Sequence, residues 1–254
     1  MKKPVGKYLH KLSKGIIRIV YRSGNVVHVF RFGEGSNAKI APLDLSIVQT
    51  YHFSKGQFDL ANSGQKFSMS DFFKLDGAVC FDCPFAVSAG AKLSACYTHK
   101  MNQYSGFLSS VRSIRTFLTW DEIPEFSSEI AETLCQLSKG KYIRFGTYGE
   151  PSLIPVDLVS SLCLVAKNWT GYTHQWGKKP EYSPYFMASC HSEGQAKYAE
   201  SKGWRSFIAA KEAIAGTVNC PASDEAGKKS TCSKCGLCSG TNGKGRKNVY
   251  ILEH

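Results

Sequence analysis

No apolar run in the sequence approaches the roughly 18 residues that a membrane-crossing helix needs, so no spanning segment is expected. Residues 1–14 are basic and polar and lack the apolar stretch of a secretion signal. That absence predicts a chain that stays in the cytoplasm where it is made. No internal repeat is visible, which sets aside solenoids and propellers. Acidic residues are scarce: 20 Asp and Glu stand against 32 Lys and Arg, a formal net charge of +12. Such a balance favours a polyanionic partner, because each neutralised phosphate releases counterions. Residues 33–75 lack a sustained period, since Gly, Ser and Asn interrupt it, and no element is assigned there. What remains is ordinary for a globular protein: 254 residues, enough for one large domain or two small ones, with 43 % apolar residues.

Cysteine is not scarce. There are ten, and in a reducing compartment they are not expected to form disulfides. They are also uneven. Cys80, Cys83 and Cys96 form one group, and Cys220, Cys232, Cys235 and Cys238 another. Clustered cysteines in such a chain read as metal ligands. Cys135, Cys163 and Cys190 stand singly, and Cys135 lies beside the apolar face of an expected helix, as a core residue does.

Periodicity supplies the frame. Two apolar runs, 16–21 and 26–32, flank Ser23-Gly24-Asn25, a β-hairpin signal. Phe107, Leu108, Val111, Ile114 and Leu118 share one helical face. Pro124 is read as opening a second helix, with Phe126, Ile130, Leu134 and Leu137 inward and Gly140 as its stop. A strand at 142–146, a turn, a helix opened by Pro155 and a strand at 171–174 make a βαβ unit, whose strands should be parallel. A strand at 185–190, a helix at 193–201 capped by Gly203, and strands at 204–209 and 248–252 follow. The expectation is an α/β fold: a TIM-barrel-like or partial (β/α) barrel with an N-terminal β-hairpin and a C-terminal Cys-rich metal-binding segment. Its divisions are a β-rich segment at 1–75, the barrel core at 76–216 and the Cys-rich segment at 217–254. That last segment has too few large apolar residues for a core of its own, so a metal would supply the missing stabilisation.

The chemistry concentrates in four places. Cys220-Pro221, then Cys232, Cys235 and Cys238 at two-residue gaps, suit a Cys₄ zinc site or one [4Fe–4S] cluster, with His254 as a substitute ligand. Cys80 and Cys83, then Cys96 and His99, form a second ligand group. Gly146 to Pro151 leaves the C-terminal end of a parallel strand, the edge where ligands and catalytic groups gather in such folds. Glu150 would project there as an acid, a base or an amine binder, with Tyr172, His174, Ser189 and His191 on neighbouring strand ends. Lys228, Lys229, Lys234, Lys244, Arg246 and Lys247 make a basic surround for the last cysteines, suited to a phosphate backbone.

The order Cys-x-x-Cys-Pro, Cys-Tyr, Ile143-Arg144-Phe145-Gly146, Gly149-Glu150, Tyr172-Thr173-His174 and the terminal cysteines resembles an uncharacterised group of phage and prophage proteins. The resemblance covers roughly residues 78–254 and implies the cytoplasm of a host cell. Two further families share parts of the pattern. Guanine transglycosylases, including the branch that places deazaguanine bases in DNA, are TIM barrels with a structural zinc; Cys232, Cys235, Cys238 and His254 are similar to their ligands in type and order. That likeness implies base exchange through a carboxylate nucleophile, Glu150 or Asp82, with the target base flipped out of DNA. Arg144, Tyr148, Gly149, Tyr172, Ser189 and His191 would bind substrate, His174 would assist catalysis, and Lys228, Lys229, Lys244, Arg246 and Lys247 would hold DNA. Radical-SAM enzymes, partial TIM barrels with a Gly-Glu-Pro turn, are the other likeness. It implies a [4Fe–4S] cluster at Cys80, Cys83 and Cys96, with Glu150 holding S-adenosylmethionine. A metal-stabilised nucleic-acid-binding protein without catalysis is the third reading.

Overall fold

A computed structural model of the chain describes residues 8–11, 16–34, 44–96, 98, 101–227, 229–243 and 245–252. The expected hairpin is present. Strand β1 (Leu9–Lys11) pairs antiparallel with β2 (Ile17–Ser23), which turns at Gly24-Asn25 into β3 (Val26–Glu34). Next comes β4 (Asp44–Ser54), antiparallel to β3 from Val26↔Ser54 to Phe32↔Val48. The sequence gives little sign of β4, although it lies at the centre of its sheet. Gln49, Thr50, His52 and Ser54 are all buried there, so no simple alternation of apolar and polar residues marks it.

Both faces of this sheet are covered, which is why neither looks polar. One face carries Val20, Val27, Val29, Tyr51 and Phe53. It packs on Phe58 of α1 (Lys55–Asn62), Phe72 and Phe73 of α2 (Met69–Phe73), Val79 of the short α3 (Gly77–Cys80) and Phe107, Val111 and Ile114 of α4 (Met101–Ile114). The other face carries Ile19, Tyr21, Phe30, Phe32 and Val48. It meets Ile130 and Leu134 of α5 (Ser128–Ser138), and Leu158, Val159 and Leu162 of α6 (Val156–Val165).

Two helix boundaries differ from expectation. Leu118 lies beyond the end of α4 and is 80 % exposed. Pro124 does not open α5: the backbone at 124–126 runs beside β2, with Arg22 N donating to Pro124 O and Phe126 N to Arg22 O. The helix begins after Ser127, whose hydroxyl accepts the Ile130 N–H as an N-cap.

From β4 onward the pairing is parallel. Strand β5 (Tyr142–Tyr148) lies between β4 and β6 (Asn168–Thr170), completing a sheet of order β1-β2-β3-β4-β5-β6. A βαβ unit is therefore present, with α6 as its crossover, but its second strand is β6 and not the expected strand at 171–174. Gly171 alone separates β6 from β7 (Tyr172–Thr173), which starts a second sheet. That sheet is entirely parallel, with β8 (Met187–Cys190), β9 (Ser206–Ala210), β10 (Val218–Asn219) and β11 (Val249–Leu252) in the order β10-β11-β9-β8-β7. Helix α7 (Glu193–Ser201) joins β8 to β9, and α8 (Cys232–Cys235) is a single turn before β11. The architecture is thus mixed α/β with two open sheets, and no closed barrel forms among the described residues. No helix among them is long and apolar enough to cross a membrane.

Candidate functional site at the parallel strand edge

The C-terminal ends of β5, β7 and β8 bring Glu150, Thr173, His174 and His191 together. Glu150 is only 4 % exposed. Its Oε2 accepts the Thr173 hydroxyl at 2.7 Å, and its Oε1 accepts the His174 backbone N–H at 3.0 Å and His174 Nδ1–H at 2.9 Å. The far nitrogen of His174, Nε2, lies 3.1 Å from Nε2 of His191, and the two rings are parallel within 4°. Carboxylate, first imidazole and second imidazole form a chain.

Its charge state follows from its surroundings. Burial pulls the His174 pKa down, but hydrogen bonds to Cys83 and Glu150 outweigh it and raise the value to about 10. His191 is pushed down to about 4 by burial and by the charge on His174. At neutral pH His174 is the cation and donates through both nitrogens. His191 is neutral and carries its proton on Nδ1, a buried atom with no partner among the described residues.

The turn is shaped by Gly149, at φ 77°. A Cβ there would stand 2.9 Å from Cβ of His52 and 3.3 Å from the Val79 carbonyl oxygen. That carbonyl receives the Glu150 N–H at 2.7 Å. Gly149→Ala is therefore expected to lower stability by about 1–3 kcal/mol in urea unfolding, through left-handed strain and displaced backbone together.

His174 and His191 open onto a cleft of about 500 Å³, lined also by Asp82, Phe85, Trp176, Lys178, Ser189 and Gln195. That size suits a small organic ligand. Asp82 pairs with Lys178 at 2.5 Å, and the two side chains are 62 % and 68 % exposed, so the pair adds little stability. The Lys178 hydrogen bond lowers the Asp82 pKa, so Asp82 is an anion on the cleft wall.

Of the residues expected to bind substrate, Ser189 and His191 line this cleft, and Gly149 shapes the turn behind it. Three others do not line it. Tyr148 is a core residue: it packs on Phe53, Phe73 and Phe107, and its hydroxyl accepts Gln57 Nε2–H at 2.6 Å. Arg144 lies mid-strand, in register with Gln49 and Thr170. Tyr172 packs on Phe207 and faces the second cysteine group instead. Phe85, Trp176, Lys178 and Gln195 were not singled out from sequence. The last three follow the strand ends within a few residues, and that adjacency was the available signal.

Neither cysteine group stands in the arrangement of a ready metal site among the described residues. Cys80 sits in the segment that follows β4; burial raises its thiol pKa, and Asp76, Cys83, Cys96 and Glu150 raise it further by charge. All four C-terminal cysteines line one small cavity with Thr170 and Tyr172. Lys229, Arg246 and Lys247 are exposed. Lys228, Lys244, His99 and His254 lie outside the described residues.

No family model, curated protein or solved structure matches this chain.

Proposed function

We propose that the chain is an iron–sulfur enzyme of the radical-SAM-like kind, with Cys80, Cys83 and Cys96 as cluster ligands and Glu150 as the group that meets the amine of S-adenosylmethionine. The observation that supports this reading is one of placement. The cysteine-bearing segment follows β4, the first strand of the parallel run, and the Gly-Glu-Pro turn ends β5, the next. Cys80 lies within electrostatic reach of both other cysteines and of Glu150. On this reading the two sheets are the arcs of a partial barrel that meet at Gly171.

The donor chemistry suits such a group, although the thiols do not stand at ligand positions. Three thiols are a soft donor set of the type iron–sulfur clusters take, and metal binding commonly completes a site that the apo chain only approximates. A bound cluster with S-adenosylmethionine would supply one-electron chemistry. The chain's own side chains do the rest. Glu150 uses three of about four acceptor positions on Thr173 and His174, leaving one for an amine. His174 holds a positive charge beside the cleft, and Phe85 and Trp176 offer a small ligand apolar walls.

Base exchange is a second reading, favoured by one observation: Asp82 is a carboxylate that lines the cleft. Glu150 suits the nucleophile's role poorly, because hydrogen bonds from Thr173 and His174 occupy most of the lone pairs that attack would need. In either case exposed Lys229, Arg246 and Lys247 are available to a nucleic acid, DNA by preference.

Anaerobic purification with iron and acid-labile sulfide analysis separates the readings. A brown protein whose iron is lost in Cys80→Ser and Cys83→Ser variants is expected. Iron-free, colourless protein after reconstitution with iron and sulfide overturns the cluster.

A further inference from the structure

The C-terminal cysteines take no part in that proposal. Cys220, Cys232, Cys235 and Cys238 share a cavity with about 20 Å³ of room. We propose that this cavity is a structural Cys₄ zinc site, and that the ion, rather than an apolar core, fastens the last strands to the parallel sheet.

The cavity that all four thiols line is small, which favours a single ion over a bulkier cluster. Four thiolates satisfy tetrahedral zinc completely, so His254 is not needed. The sulfurs are not at ligand positions, and the ion would have to draw them together.

The backbone is built to present them. Cys232 and Cys235 lie at the two ends of the single turn α8, which Gly236 closes at φ 66°. A Cβ on residue 236 would collide with the Asn168 side chain, so this turn is pressed against β6. Buried Arg205 donates to the carbonyls of Leu237 at 2.9 Å and Gly240 at 3.0 Å, and lies within electrostatic reach of Cys238. Four thiolates around one divalent ion carry a net negative charge, and this guanidinium offsets part of it. The apolar support is local: Met187, Cys238 and Val249 are buried here, with Tyr172, Phe207, Cys220 and Leu237 packed against them.

The ligands also reach the rest of the fold through the main chain. Cys220 N–H donates to Tyr250 O at 2.9 Å on β11, and Cys238 O accepts the Gly171 N–H at 3.2 Å, at the junction of the two sheets. Removing the ion therefore loosens the strand that ends in His174.

Metal analysis of the full chain, purified without chelator, tests the proposal. About one zinc per chain is expected, retained in Cys83→Ser and reduced below about a tenth in Cys235→Ser and Cys238→Ser. If those variants do not accumulate, the unaltered protein answers instead. Alkylation in native buffer should spare Cys220, Cys232, Cys235 and Cys238 until a chelator strips the zinc. Zinc-free protein, zinc undiminished in Cys235→Ser, the four thiols alkylated as fast before chelation as after it, or iron whose loss follows Cys235, overturns the site. Iron that follows Cys83 reports on the proposed cluster alone, so the two readings can fail separately.

Discussion

Glu150→Gln is expected to lower the His174 pKa, because the Glu150 hydrogen bond and charge are two of the causes that raise it, and, if Glu150 meets a cofactor amine as proposed, to weaken binding of that cofactor. The reason is the balance at His174. Burial alone would drive its pKa below the ordinary 6.5; Cys83 and Glu150 reverse the sign and carry it to about 10. An amide keeps an oxygen for His174 Nδ1–H but removes the negative charge, so the His174 pKa falls while the Cys83 contribution remains. The stability consequence follows the same sign. A histidine whose folded pKa is raised contributes stability below its unfolded pKa and loses it as pH rises through about 10. The gap between the parent protein and Glu150→Gln should be widest below pH 6.5 and should narrow toward pH 10. Titration of the His174 ring protons by NMR, on chelator-treated protein so that Cys83 is free, measures the shift. An unchanged His174 pKa would mean that Glu150 does not hold that proton.

The site was more legible in the sequence than the sheet that carries it. Glu150, His174 and His191 each sit just past an apolar strand, where a polar residue is conspicuous, and the short βα connections placed them on one edge. Their contact through two stacked rings was not legible, because it depends on how β7 and β8 pair across 17 positions. Strand β4 was invisible for the opposite reason. It is buried on both faces, yet it carries Gln49, Thr50 and His52 inward, so its pattern reads as a polar loop. Tyr148 misled because motif and core overlap in one residue: it is next to Gly149, yet its ring points into the aromatic layer of Phe53, Phe73 and Phe107. The sequence spacing did not show that Cys220, Cys232, Cys235 and Cys238 line one cavity, because that depends on how α8 packs against β6.

Those inward histidines set the second large effect, an acid transition between about pH 6.5 and pH 4. His28 and His52 face each other across β3 and β4, both fully buried, with Nδ1 to Nδ1 at 3.0 Å. That contact has room for one proton, so one ring donates and the other accepts, and both are neutral. Ser23 Oγ stands 3.2 Å from the outer nitrogen of His28, and Thr50 Oγ1 stands 3.4 Å from that of His52. Thr50 in turn accepts the Gly146 N–H at 2.8 Å, which ties the pair to the turn that carries Glu150. Burial holds His28 at about 3, and burial with the His28 charge holds His52 well below the ordinary value. For histidines depressed in the folded state, the stabilisation is present above the unfolded pKa of about 6.5 and lost as pH falls, because the unfolded chain takes the protons first. Two such groups give a slope of about 2.7 kcal/mol per pH unit below pH 6, enough to exhaust an ordinary stability of 5–15 kcal/mol within a few units. Denaturant midpoints taken at steps of pH measure the slope. Replacing both rings, His28→Leu with His52→Leu, should remove about two protons' worth of it at modest cost near pH 8, because neither polar partner is then left unpaired by the other. A parent slope no steeper than the double variant's would show that the folded pair accepts a proton and shares it between the two Nδ1 atoms, and the neutral assignment would then be wrong.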